Sequence, residues 1–128
     1  MVMLNNIITV PAKEDSPFIQ IDTEKSLFVI KGKSFPSNPV LTYSLIKSMI
    51  NKVIDKEGSI YLELELIYMN TASKLIINEI IEKIHNNLQD YEIVWLYSDE
   101  DLLDEITYIE WCTEAKIKKI YRALKEKD

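Results

Sequence analysis

From Ser59 to Ile67 apolar and polar positions alternate. Ile60, Leu62, Leu64 and Leu66 fall on one face of an extended chain, and Tyr61, Glu63, Glu65 and Ile67 on the other. A central parallel strand covered on both faces would be apolar throughout. Two glutamates on one face therefore predict a sheet with helices on one side and water on the other.

The flanking segments change period. Asn38 suits a helix N-cap and Pro39 the first helical position. Leu45, Ile46, Met49, Ile50, Val53 and Ile54 then recur at helical spacing until Gly58 stops them. A second amphipathic helix starts at Asn70 or Thr71, with Leu75, Ile76, Ile77, Ile80, Ile81, Ile84 and Leu88 as its stripe. Tyr91 to Tyr97 is rich in strand formers. Asp99 to about Cys112 reads as a third helix, with acidic residues in the first turn where the helix dipole favours them. Upstream, residues 11–17 are a polar loop. Phe18 to Ile21 and Ser26 to Lys31 read as two strands around Asp22-Thr23-Glu24-Lys25, and Gly32 to Asn38 is a loop. Ala115 to Leu124 fits either a helix or a closing strand, and Trp95 and Tyr97 fit either the core or the open face. The alternation of strand and helix implies parallel strands joined by right-handed crossovers. The expected fold is α/β, a mixed sheet with helices packed mainly on one face, in a single domain spanning residues 1–128.

Composition mostly excludes. A net charge of −6 lacks the basic footprint of a general nucleic-acid binder. No apolar run is long enough to span a membrane, and Met1 to Ile8 does not read as a signal peptide, so the cytoplasm is the expected location. Two glycines, Gly32 and Gly58, cannot build a phosphate loop or a dinucleotide fingerprint. Cys112 and His85, the sole cysteine and histidine, show no metal-ligand spacing. Cys112 reads as a buried small hydrophobe, and His85 as a surface or core-edge residue. No metal and no cofactor are expected.

Thr71 stands where a strand gives way to a helix. Unpaired N–H groups and the positive end of the helix dipole favour an anion there. A phosphate on Thr71 would be stabilised at such a place, and Lys74 could add a cation. On physical grounds alone an ordinary capping role is the simpler reading.

The segment Leu66-Ile67-Tyr68-Met69-Asn70-Thr71-Ala72-Ser73-Lys74 resembles the hallmark of the SiaC-type regulatory phosphoproteins, approximately aromatic-hydrophobic-Asn-Thr-Ser-Ser-x-Lys. Gly32-Lys33-Ser34-Phe35-Pro36 resembles the loop before their first helix, and Trp95-Leu96-Tyr97 with the acidic run after it resembles a later strand and loop. Ala72, Ser37, Thr107 and Tyr108 depart from the family's usual residues. Members are similar to the STAS domains of anti-sigma-factor antagonists. The resemblance implies a STAS-like fold and a non-catalytic adaptor, monomeric when free, with Thr71 as phosphoacceptor. Tyr68, Asn70, Ser73, Lys74, Ser34, Phe35 and Pro36 would form its partner-binding surface. The implied partners are a protein kinase, a PP2C-type phosphatase, and an output protein such as a diguanylate cyclase, bound by the unphosphorylated form.

Other readings compete. A small-molecule sensor on the same scaffold would need a deep apolar pocket near Tyr61 and Trp95. A small hydrolase would need Glu63 and Glu65 in a cleft. On an open sheet face they are more simply solvated, as are the acidic run Asp99-Glu100-Asp101 with Asp104 and Glu105 and the tail cations Lys116, Lys118, Lys119, Arg122, Lys125 and Lys127.

Overall fold

The strand that begins at Ile60 runs on to Met69, two residues beyond its expected end, as β5 (Ile60–Met69). In this computed structural model, which describes residues 1–124, β5 lies inside a seven-stranded sheet whose spatial order follows the sequence. Strands β1 (Val2–Leu4), β2 (Ile7–Val10), β3 (Phe18–Asp22) and β4 (Leu27–Ser34) pair antiparallel. From β4 onward, β5, β6 (Tyr91–Tyr97) and β7 (Ile117–Tyr121) pair parallel. The tail residues Lys125 and Lys127 lie outside the described residues.

Three crossovers carry the helices. Helices α1 (Pro39–Thr42) and α2 (Ser44–Asp55) join β4 to β5, α3 (Thr71–Asn87) joins β5 to β6, and α4 (Glu100–Thr113) joins β6 to β7. Each crossover steps to the next strand in the same direction, so connections of one hand deliver every helix to one face. Ile60, Leu62, Leu64 and Leu66 are buried beneath that layer, whereas Tyr61, Glu63 and Glu65 stay partly exposed. Glu63 sits 3.9 Å from Lys31, and Glu65 sits 3.4 Å from Arg122. The sheet thus has the expected helical face and the expected polar face.

Several local expectations change. The first helix breaks at Tyr43, whose ring is fully buried, and the left-handed residue that ends α2 is Glu57 (φ 53°), one before Gly58. An N-terminal hairpin, absent from the sequence reading, turns at Asn5 and Asn6 (φ 50° and 68°). Two left-handed residues make the turn whose twist matches paired strands. Ala115 to Leu124 contains the strand β7. Leu75 and Cys112, expected in the core, are exposed.

Trp95 lies opposite Leu64 in the β5–β6 register and is fully buried under the helices. Tyr97 shares its face and packs against the core. Tyr61 is on the other side of the sheet, so no patch or pocket unites it with Trp95. No helix among the described residues is long and apolar enough to cross a membrane.

Candidate functional site

The parallel pairing of β4 with β5 slips near its end. Gly32 is opposite Leu66, but Lys33 is opposite Tyr68, so Ile67 is an extra residue on β5. A bulge of one residue inverts the alternation beyond it. Tyr68 consequently points outward at 51 % exposure, and Met69 is buried at 3 %. Gly32 takes φ 109°, a conformation open to glycine alone at little cost. The bulge therefore sets which way the chain faces as it enters α3.

Asn70 anchors that helix start three times. Its N–H donates to the Ser34 carbonyl at 2.9 Å, its Oδ1 accepts from the Ser73 N–H at 2.9 Å, and its carbonyl accepts from the Lys74 N–H at 3.0 Å. Asn70 is thus the N-cap, and Thr71 is the first helical residue, with its side chain exposed.

Below it runs a buried chain of hydroxyls. Ser34 Oγ donates to Ser73 Oγ at 2.8 Å and lies 2.6 Å from Tyr43 Oη. With the Ser34 proton directed to Ser73, the Tyr43 phenol is the donor to Ser34. Burial pushes that phenol up to about 12, with the Ser34 hydrogen bond opposing, so it remains protonated at neutral pH. Buried polar groups need such partners. The chain ties β4, the α1–α2 break and the start of α3 into one unit.

The residues of the expected partner surface divide by exposure. Ser34, Ser73 and Pro36 are buried, and the Ser34 and Ser73 hydroxyls hold the site together from below. Phe35 and Tyr68 are exposed, with their rings edge-on at 5.8 Å. Lys74 is half-buried, and its Nζ lies 2.5 Å from Glu105 Oε1 of α4. Its charge is therefore paired with α4 in this state.

Two depressions flank Thr71, and both are lined by Thr71, Lys74 and Glu105. One, of about 360 Å³, adds Tyr68, Asn70, Asp99 and Asp101. The other, of about 520 Å³, follows the α3–α4 seam past Leu75, Tyr108, Ile109 and Cys112. Asp99 Oδ1 caps α4 by accepting from the Leu102 N–H at 2.8 Å. The α4 contribution escaped the sequence reading, which took the acidic run as solvated throughout. A helical wheel could have found it. Leu102, Ile106, Ile109 and Thr113 face inward, which leaves Tyr108 and the 77 % exposed Trp111 outside, their ring centroids 6.1 Å apart.

The other candidates have structural partners. His85 Nδ1 lies 2.7 Å from Tyr91 Oη, which accepts the Lys116 N–H at 3.1 Å. Glu63 accepts from the Tyr61 hydroxyl at 3.2 Å on the open sheet face. Among the described residues no group of three or more His, Cys, Asp or Glu could hold a metal ion.

Known proteins share this fold. Apo-SiaC from Pseudomonas aeruginosa superposes with a TM-score of 0.75 at 18 % identity, covering 91 % of this chain and 98 % of that one. A crystal structure of diguanylate cyclase SiaD in complex with its activator SiaC, from the same organism, gives a TM-score of 0.79 at 19 % identity, covering 90 % and 99 %. At these identities the TM-scores show a common fold alone. No curated protein sequence matches. The model of the SiaC family regulatory phosphoproteins matches residues 10–122. That match spans most of the chain and includes Asn70, Thr71 and the α4 residues around them, and the chain belongs to the SiaC family of regulatory phosphoproteins.

Proposed function

We propose that this chain is a non-catalytic adaptor of the cytoplasm, switched by reversible phosphorylation of Thr71. A protein kinase adds the phosphate and a PP2C-type phosphatase removes it. The unphosphorylated form binds and regulates an output protein, of which a diguanylate cyclase is the best-supported class. The observation that carries this reading is the exposed Thr71 hydroxyl at the first residue of α3, in a family of regulatory phosphoproteins. A helix start stabilises a phosphate there. The cyclase class is supported by the SiaC relative that is described as the activator of the diguanylate cyclase SiaD.

The partner surface in this reading combines Phe35, Tyr68, Asn70, Thr71 and Lys74 with the exposed side of α4. Large aromatics such as Tyr68 and Trp111 are common anchors of interfaces. Thr71→Ala tests the assignment. The variant should lose phosphorylation by the cognate kinase and still bind the output protein with parent affinity. If Thr71→Ala is phosphorylated to the parent extent, Thr71 is not the acceptor.

A further inference from the structure

We infer that phosphorylation of Thr71 acts by taking Lys74 away from Glu105, and so unfastens α3 from α4 at the switch. The inference rests on the reading of Thr71 as phosphoacceptor. Phosphoryl transfer from a nucleoside triphosphate forms the Thr71 Oγ1–P bond, breaks the bond to the diphosphate and releases the hydroxyl proton. The site gains a charge of about −1.5 to −2 near neutral pH.

That charge arrives among like charges. Asp99, Asp101 and Glu105 line the depression beside Thr71, with Tyr68 and Asn70 as neutral neighbours. Among the described residues lining it, Lys74 is the one cation. Thr71 and Lys74 are three residues apart on one helix, and so share a face. In the unphosphorylated protein Lys74 Nζ lies 2.5 Å from Glu105 Oε1, and both side chains are about one-third exposed, at 35 % and 34 %.

The competition favours the phosphate. At equal distance a dianion attracts the ammonium about twice as strongly as the single carboxylate does. The phosphate is also held by the helix start. There the first intrahelical bond is made by the Lys74 N–H, and the Asn70 cap takes the Ser73 N–H, leaving those of Thr71 and Ala72 at the open turn. Glu105, once deprived of Lys74, is repelled by the same phosphate. The pair that bridges the two helices between the two depressions is lost, so a partner docked on the α3–α4 seam meets a changed groove as well as a new anion. A lone carboxylate at position 71 carries the same charge as Glu105 and lacks this advantage. Thr71→Asp is therefore a poor mimic.

The test uses the full chain with phosphothreonine installed at position 71 during translation, which requires no kinase. The second ionisation of the phosphate is followed by phosphorus NMR in the parent, Lys74→Gln, Glu105→Gln and the double variant. An adjacent ammonium favours the dianion, so its removal raises the phosphate pKa from wherever the parent sits. Lys74→Gln should raise it by about half a pH unit or more, and by the same amount whether residue 105 is Glu or Gln. Lys74→Arg, which keeps the charge, should stay near the parent value. The inference is overturned if Lys74→Gln moves the phosphate only in the Glu105→Gln background, because Lys74 then stays with Glu105. It is equally overturned if Lys74→Gln moves it in neither. Failure of the phosphoacceptor reading would appear separately, as kinase labelling that survives Thr71→Ala.

Discussion

Removing the Ser34 hydroxyl should cost more than its size suggests. Ser34 Oγ is the middle of a buried chain, 2.6 Å from Tyr43 Oη and 2.8 Å from Ser73 Oγ. All three residues are fully buried. Ser34→Ala strands two polar groups at once, at about 1–3 kcal/mol each, so the total is about 2–4 kcal/mol after local adjustment. Tyr43→Phe removes only the outer donor and leaves the Ser34–Ser73 bond in place, at about 1 kcal/mol. The double variant removes the phenol that Ser34→Ala would orphan, so it should be no less stable than Ser34→Ala alone. Urea unfolding followed by circular dichroism measures all three. If Tyr43→Phe costs as much as Ser34→Ala, or if the two single costs simply add, the hydroxyls do not act as a chain. Because Asn70 N–H also bonds the Ser34 carbonyl, the same perturbation should loosen the start of α3 beneath Thr71.

The Tyr43 phenol also carries an alkaline signature. Its pKa is raised from 10.0 to about 12, so the folded state favours the neutral phenol. The associated stability is fully present below pH 10 and is lost as pH rises from there through about 12, a loss of about 2–3 kcal/mol. Tyr43→Phe should flatten that part of the stability–pH curve, measured by unfolding at pH 9 and pH 11.5, and an unchanged drop would refute it. At the other end of the sheet, Asn6 holds φ 68° while its carbonyl accepts from the Thr23 N–H at 2.9 Å. Asn6→Val forces a β-branched residue into that region at about 1–2 kcal/mol. Amide exchange should then show β1 unzipped from β2 with the β4–β6 amides unchanged, and protection retained in β1 would contradict this.

What could be read from the sequence follows from how local each signal is. The Ile60–Leu66 alternation was legible because β5 has one dry face and one charged face. That contrast alone implied a helical layer on one side. In β6 the consecutive residues Ile93, Val94 and Trp95 are all buried, so the alternation is erased. The facing of Trp95 depends on its register with Leu64, and register is not a local property. Ile117, Ile120, Tyr121 and Leu124 keep helical spacing, yet the first three lie in strand β7. The deciding events are a left-handed Glu114 (φ 62°), with no glycine to announce it, and pairing with β6. Asn5-Asn6, by contrast, was a local turn signal that went unread.

The candidate site divides in the same way. Capping chemistry made the Asn70–Thr71 junction legible. The partners that give it meaning come from afar in sequence, Ser34 meeting Ser73 and Lys74 meeting Glu105. Cys112 is the instructive case, because its exposure was legible. It falls off the inward stripe of Leu102, Ile106 and Ile109, but the usual burial of cysteine outweighed the helical wheel. Giving geometry priority over residue type moves Cys112 outward together with Tyr108 and Trp111. The result is an exposed, partly apolar face on α4 that adjoins Thr71 through Lys74 and Glu105. The switch proposed at Thr71 therefore has two surfaces to act on, its own helix start and the seam with α4, and the Lys74–Glu105 pair is the contact that joins them.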